Sequence, residues 1–161
     1  MVSFWKTAHV VSAAIIFGTG LGIAFCTWFC TRAALRAKNI EALRLVLRYT
    51  VVADFWFTAP AVAFQAASGL VLVERLGWSR GSAWMMAVWA LFILAGLCWT
   101  PVLRIQILLS RAAQRAASVD ALPDSFHRLF RWWVALGIPS FGAVIAIYWL
   151  MVAKPLSVTA P

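Results

Sequence analysis

Four long apolar runs, separated by short polar segments, organise the chain. They cover approximately residues 4–31, 49–73, 82–109 and 129–153. A helix needs about 20 largely apolar residues to cross a bilayer, and each run reaches that length. Charged or helix-breaking residues end the runs at Arg32 and Arg36, at Glu74 and Arg75, and at Lys154 and Pro155. The pattern predicts four transmembrane helices.

The composition supports the same fold class. Hydrophobic residues make up 64% of the 161 residues and charged residues 12%, whereas a soluble domain is nearer half apolar and a quarter charged. This excludes an ordinary water-soluble enzyme. We predict one domain over residues 1–161, an all-α up-down-up-down antiparallel bundle. The N-terminus lacks the basic start and small-residue cleavage site of a secretory signal, so we expect the first run to be retained.

The net charge of +9 would suggest a nucleic-acid partner in a soluble protein, but in a membrane chain it first sets orientation. The connections after the first and third runs carry Arg32, Arg36, Lys38, Arg44, Arg48, Arg111, Arg115 and Arg128. The opposite side carries Lys6, Arg75, Arg80 and Lys154. We therefore expect no nucleic-acid partner, and a multi-pass protein of the bacterial inner membrane with both termini in the periplasm.

The first connection is itself informative. The segment from Arg32 to Arg48 is predicted to be a basic helical extension of the first span. Its Arg36, Arg44 and Arg48 are expected to reach lipid phosphates at the membrane surface.

Polar residues within the second run follow the period of a helix. At about 100° per residue, Thr58, Gln65 and Ser68 fall within roughly 40° of Asp54 on the helix surface. Intramembrane polar groups face the bundle interior or a cavity, so this polar stripe should point inward. It either lines a functional cavity or hydrogen-bonds the helices together.

Two interpretations remain open for Asp54. Arg104 lies at a matching depth in the third run, so an ion pair would compensate both charges. Alternatively, Asp54 carries protons, with Gln106, Trp99 and Thr100 nearby.

A second polar layer is expected in the outer third of the bilayer around His9. The imidazole titrates near neutral pH and binds metals, which makes His9 a candidate ligand as well as a candidate structural residue. The same depth is predicted for Gln65, Trp89, Tyr148, Met85, Met86 and Met151. His127 belongs to the inner interface by its position, so a haem held between two histidines is not expected.

Small residues and thiols have simpler interpretations. Gly18 and Gly22 form a small-x-x-x-small pair that lets another helix approach closely. Cys26, Cys30 and Cys98 lie in apolar runs, where thiols are usually inert packing groups and only seldom Cu(I) ligands.

Five stretches together resemble a bacterial family of predicted integral membrane proteins, domain of unknown function 2269, over nearly the whole chain. They are His9–Ala13, Phe17–Gly22, Ala53–Val62, Cys98–Gln106 and Trp149–Pro155. That family name implies no activity. The early histidine is more distantly similar to copper-resistance-D-type proteins and small membrane protoporphyrinogen oxidases. This likeness implies b-type haem with His9 as an axial ligand, five-coordinate or completed by Met85, Met86, Met151 or Lys6.

The resulting expectation is a protein that holds haem b through His9 for electron transfer or for quinone- or porphyrin-linked oxidation. The alternative is a non-enzymatic membrane subunit or a copper-handling protein without haem. Export of small molecules by a dimer is a third hypothesis. Besides lipid, the expected partners are a quinone or porphyrin and a second copy or another membrane subunit.

Overall fold

Four long helices form the part of the chain that the computed structural model describes, residues 1–79 and 81–153. They are α1 (Val2–Arg36), α2 (Ile40–Arg75), α3 (Ala83–Arg115) and α4 (Ser125–Ala153). Each is long and apolar enough to cross a membrane, so the predicted multi-pass all-α bundle is confirmed. Arg80 lies outside the described residues, as do Lys154 and Pro155, which were predicted to stop the fourth run.

The segment from Arg32 to Arg48 differs from the prediction, because it is not one helical extension. Helix α1 ends at Arg36, and Lys38 adopts a left-handed conformation with φ of 51°. Asn39 then caps α2, its Oδ1 accepting a hydrogen bond from the Ala42 amide at 3.0 Å. An asparagine in this position satisfies a free amide of the first turn, so a new helix starts there.

Arg44 also differs from its expected role at the lipid surface. Its guanidinium donates to the carbonyl oxygens of Ala113 at 3.1 Å and Ala116 at 2.7 Å. These carbonyls lie at the C-terminal end of α3, where no further helical amide is available to bond them. Arg44 therefore fastens α2 to the end of α3. Nearby, Lys38 and Asp120 form an ion pair at 3.0 Å that joins the two inner connections.

Helix α2 contains one π-helical turn, Asp54–Thr58, between the α-helical segments Ile40–Ala53 and Ala59–Arg75. The Ala59 amide donates to the carbonyl of Asp54, five residues back. Pro60 lacks the N–H that an α-helix would donate to Trp56, and its ring crowds that carbonyl. The proline explains why the helix widens at this level, and such turns often occur at functional sites.

The inner half of the bundle is tightly packed, whereas the outer half is more open. Leu43, Leu47, Leu109 and Phe126 are completely or almost completely buried in the inner core. Helices α1 and α2 contact each other along their length, and so do α3 and α4. By contrast, α2 contacts α3 through its inner segment, and α1 contacts α4 only sparsely. A gap consequently separates the two helix pairs.

The small-residue pair on α1 packs against no other helix of the described chain. Gly18 and Gly22 are exposed or partly exposed, and a Cβ on either would meet no atom within 4 Å. Gly20 faces the bundle instead, since a Cβ there would lie 3.7 Å from the Phe141 ring. Two residues correspond to roughly 200° on a helix, which places Gly20 opposite the predicted pair.

Candidate functional site

A cavity of about 1180 Å³ occupies the gap and is lined by all four helices. Ligand sites commonly measure about 300–1000 Å³, so this cavity can accommodate a large organic molecule. Its walls are mainly aliphatic and aromatic. The hydrogen-bonding side chains among its lining residues include Lys6, His9, Asp54, Thr58, Gln65, Gln106, Ser140 and Tyr148.

The cavity wall reaches the outer surface of the bundle on α1 and α4. Several of its lining residues are also exposed on the outer surface of the bundle: Leu21 and Phe29 of α1, and Ile138, Ile145 and Val152 of α4. In a membrane this surface faces lipid. The cavity is therefore accessible to a molecule dissolved in the bilayer.

His9 is hydrogen-bonded through both ring nitrogens in the outer half of this cavity. Its Nδ1 lies 2.8 Å from Ser68 Oγ, and its Nε2 lies 2.9 Å from Gln65 Nε2. The Ser68 hydroxyl donates to the Gln65 carbonyl at 3.3 Å. The consistent proton arrangement is a neutral imidazole that donates from Nδ1 and accepts the Gln65 amide proton at Nε2.

A missing side chain makes room for the imidazole. A Cβ on Gly69 would lie 3.3 Å from His9 Cε1, closer than side chains normally approach. Sequence reasoning overlooked Gly69. Its position next to Ser68 in the polar stripe could have indicated its role, because a glycine there permits close approach of a ring from the neighbouring helix.

Hydroxyl contacts fix the antiparallel register of α1 and α2. His9 meets Ser68, Thr19 meets Thr58 at 3.2 Å, and Thr27 meets Thr50 at 2.6 Å. From each pair to the next, the residue number rises on α1 by as much as it falls on α2, as expected for antiparallel helices. The sequence prediction missed the hydroxyl residues of α1, although Ser12, Thr19 and Thr27 recur at the seven- and eight-residue spacing of one helix face. The Ser12 hydroxyl donates to the Ala61 carbonyl of α2 at 2.9 Å.

Gln65 has hydrogen-bonding capacity that the described part of the protein does not use. Its Oε1 is buried and has no partner there. Its amide nitrogen carries two protons, of which His9 accepts one. Gln65 thus offers both an acceptor and a donor beside the cavity.

The other residues of the predicted outer layer separate into two groups. Trp89, Met85, Met151 and Tyr148 line the cavity, and the Tyr148 hydroxyl donates to the Ala13 carbonyl of α1. Met86 does not belong to the layer: it is exposed on the lipid-facing surface and is absent from the cavity wall. Met85 occupies the inward position, and the adjacent residue points about 100° away.

Asp54 lies in the inner half of the same cavity and is only 3% exposed. The predicted ion pair with Arg104 is not formed. Arg104 is exposed, because it lies two residues, roughly 200°, away from the inward-facing Gln106. The side chains of Thr58, Gln106 and Trp99 are turned towards the carboxyl group instead.

This inner cluster is therefore polar but carries no compensating positive charge within the described residues. Gln106 is 2% exposed and its Oε1 has no partner, and Nε1 of Trp99 is likewise buried without one. Thr100, the other predicted neighbour, is exposed and bonds Gly96 of its own helix. A charged carboxylate at such a depth costs about 2.5–3.5 kcal/mol on insertion scales, which makes Asp54 an unusual residue to bury.

The remaining candidates lie outside the cavity. Cys26, Cys30 and His127 are exposed, and Cys98 is partly exposed. Within residues 1–79 and 81–153, no three His, Cys, Asp or Glu side chains come together as a metal site would require. The candidate site therefore consists of the outer His9 cluster and the inner Asp54 cluster on one cavity wall.

A family model described as "Predicted integral membrane protein (DUF2269)" matches residues 3–155. The chain belongs to this family. The matched region of the DUF2269 protein includes both clusters, from His9 to Tyr148, and the resemblance noted in the sequence is confirmed at this level. Comparison with curated proteins gave no match, and neither did comparison with solved structures.

Proposed function

We propose that this DUF2269 protein binds a flat, membrane-dissolved redox ligand of the quinone class in the cavity, with Gln65 and His9 as its polar contacts. The observation that carries the proposal is a large apolar cavity open to lipid beside an amide with an unused acceptor and donor. Ligand sites usually combine apolar walls with a few placed polar groups in this way.

The Gln65 amide suits both oxidation states of such a ring. A quinone carbonyl accepts the second amide proton of Gln65, whereas a quinol hydroxyl donates to its Oε1. His9 contributes by holding the amide in place, because its Nε2 accepts the first amide proton. We further propose that the protein resides in a bacterial inner membrane, where quinones are dissolved.

Haem b on His9 is a second candidate, and one observation favours it. Ser68 holds Nδ1 of the imidazole, as second-shell groups hold metal-binding histidines. The aromatic cavity is also large enough for a macrocycle. When bound, haem supplies one-electron transfer, and His9 would hold it through Nε2.

The hydrogen bond between Gln65 and His9 favours quinone binding over haem binding. Iron and the Gln65 amide proton would compete for the same lone pair on His9 Nε2. Haem ligation therefore requires the Gln65 side chain to move away, whereas a quinone requires no such change. Met85 and Met151 line the cavity and are the available soft partners for haem iron or for copper.

The test is to analyse the protein purified in mild detergent from bacterial membranes. We expect a co-purified quinone in the organic extract, and about fivefold to tenfold less of it in Gln65→Leu, as the loss of one hydrogen bond implies. Met86→Leu, which changes only the lipid-facing surface, is the control. Equal quinone content in Gln65→Leu and the wild type would refute the proposal.

The same sample tests the alternatives. A Soret band that disappears in His9→Ala would support haem b instead. Copper in the metal analysis, lost in His9→Ala, would support metal handling. A stoichiometric partner protein with no bound small molecule would support a non-enzymatic subunit.

A further inference from the structure

The inner end of the cavity has a different chemistry from the outer end, and the proposed quinone site does not use it. Asp54 and Gln65 are eleven residues apart on α2, which separates the two clusters by about 16 Å along the helix axis. Both face the same cavity. The inner cluster therefore needs an explanation of its own.

Asp54 is a buried carboxyl group without a cationic partner among the described residues. Arg104 is exposed on another face of α3. Lys6 is the other charged side chain in the cavity wall, and it lies about 25 Å away along α1, judged from the contact between Thr19 and Thr58. A cationic ligand would therefore meet no competing positive charge from the described residues at this site.

Further unused acceptor capacity surrounds Asp54. Gln106 is 2% exposed, lines the cavity, and has a buried Oε1 without a partner. With the Asp54 carboxyl group, towards which Thr58 and Trp99 are turned, it places several acceptor oxygens at this end of the cavity. Such a site favours a ligand that carries positive charge or protons to donate.

The walls around this site are aromatic. Trp99 is turned towards Asp54, and Trp133 of the inner core lines the same cavity. Aromatic faces attract cations, most strongly when water is excluded. Exposed apolar residues such as Ile138 and Leu21 belong to the cavity wall, so a cation that dissolves in the bilayer suits this cavity.

We propose that the inner half of the cavity binds a lipophilic aromatic cation, with the Asp54 carboxylate as its counter-charge and the tryptophan faces as its walls. This site goes beyond the proposed quinone function, because it uses the Asp54 cluster rather than His9 and Gln65.

The test is equilibrium dialysis of radiolabelled tetraphenylphosphonium against the purified protein in detergent, with empty micelles as background. We expect saturable binding to the wild type. Asp54→Asn should weaken it by about thirtyfold or more, as expected when one partner of a buried charge pair is removed. Asp54→Glu keeps the charge and should retain most of the binding.

Two controls separate charge recognition from general hydrophobic binding. Arg104→Gln removes a charge on the exposed face of α3 and should leave binding unchanged. Triphenylphosphine oxide, a neutral aromatic compound, should bind more weakly than the cation and equally well to Asp54→Asn and the wild type.

Several results would overturn the inference: no saturable binding of the cation, equal binding by Asp54→Asn, or equal affinity for the cation and the neutral compound. The comparison of the two compounds uses the wild type alone, so it decides the matter even if a variant fails to fold. Quinone content is measured separately and depends on Gln65, so failure of either proposal is distinguishable from failure of the other.

Discussion

The position of the His9 ring depends on a neighbour that has no side chain. Ser68 and Gln65 bond its two nitrogens, and Gly69 leaves the space that the ring edge occupies. Three residues of one α2 segment thus orient one imidazole of α1. A small change at Ser68 or Gly69 should alter the site without removing an atom that contacts the proposed ligand.

Gly69→Ala tests this arrangement. The added Cβ would lie 3.3 Å from His9 Cε1, so the ring must shift by a few tenths of an ångström and its hydrogen bonds must lengthen. We expect reduced quinone content in the purified variant. Thermal unfolding in detergent should remain near that of the wild type, because alanine favours a helix over glycine by about 1 kcal/mol.

Gly96→Ala provides a matched control for that experiment. Gly96 also lines the cavity, but a Cβ there would meet nothing within 4 Å. Its ligand content should equal that of the wild type. A Gly69→Ala protein with full ligand content would show that the close contact does not control the site.

Individual residues also show what the sequence could predict about the site. The period of a helix predicted that Asp54, Thr58, Gln65 and Ser68 share an inward face, and the structure places them so. The same helical period also implies that Arg104 and Gln106, two residues apart, lie on different faces of α3. Matching depths do not establish contact, because they leave the rotation of each helix unspecified.

Among the elements, α1 and α2 are joined by hydroxyl pairs that the apolar pattern does not reveal. Thr27 and Thr50 are buried and their hydroxyls are 2.6 Å apart, and Thr50 also donates to the Val46 carbonyl. Hydrogen bonds between membrane helices contribute about 0.6 kcal/mol on average. These pairs fix the register more than they determine the total stability.

A double-mutant cycle on Thr27→Val and Thr50→Val measures this contribution. We expect a coupling of about 0.5–1.7 kcal/mol in the free energy of unfolding in detergent. Thr100→Val is the control, since the exposed Thr100 hydroxyl bonds its own helix. Zero coupling between Thr27 and Thr50 would show that the hydroxyl pair does not stabilise the helix contact.

The two faces of α1 lead to opposite expectations for its glycines. A Cβ at Gly20 would lie 3.7 Å from the Phe141 ring, so a leucine there must displace that ring, whereas a leucine at Gly22 projects into open space. Gly20→Leu should lower the midpoint of thermal unfolding and Gly22→Leu should not. Equal effects would contradict the observed orientation of the helix.

For the whole molecule, the distribution of charge sets the orientation in the membrane. The two inner connections lie together, as the ion pair of Lys38 with Asp120 and the capping of α3 by Arg44 show. They concentrate basic residues at one end of the bundle, and such residues stay in the cytoplasm. With that orientation the His9 cluster would lie in the periplasmic half and the Asp54 cluster nearer the cytoplasm.

Reporter fusions test this orientation. Alkaline phosphatase joined to the C-terminus should be active, because it folds only in the periplasm, whereas green fluorescent protein at the same place should be dark. Fusions in the Lys38 turn should give the opposite result. A fluorescent C-terminal fusion would contradict the predicted orientation.

The amino-acid sequence by itself determined the class of this protein and the inward face of the polar stripe on α2. Long apolar runs cannot remain in water, and the helical period fixes which polar residues share a face. The tertiary structure decided which faces meet. It joined His9 to Ser68 and Gln65, separated Asp54 from Arg104, and opened the cavity. These outcomes depend on the rotation, register and separation of packed helices, which arise from many side chains fitting together at once.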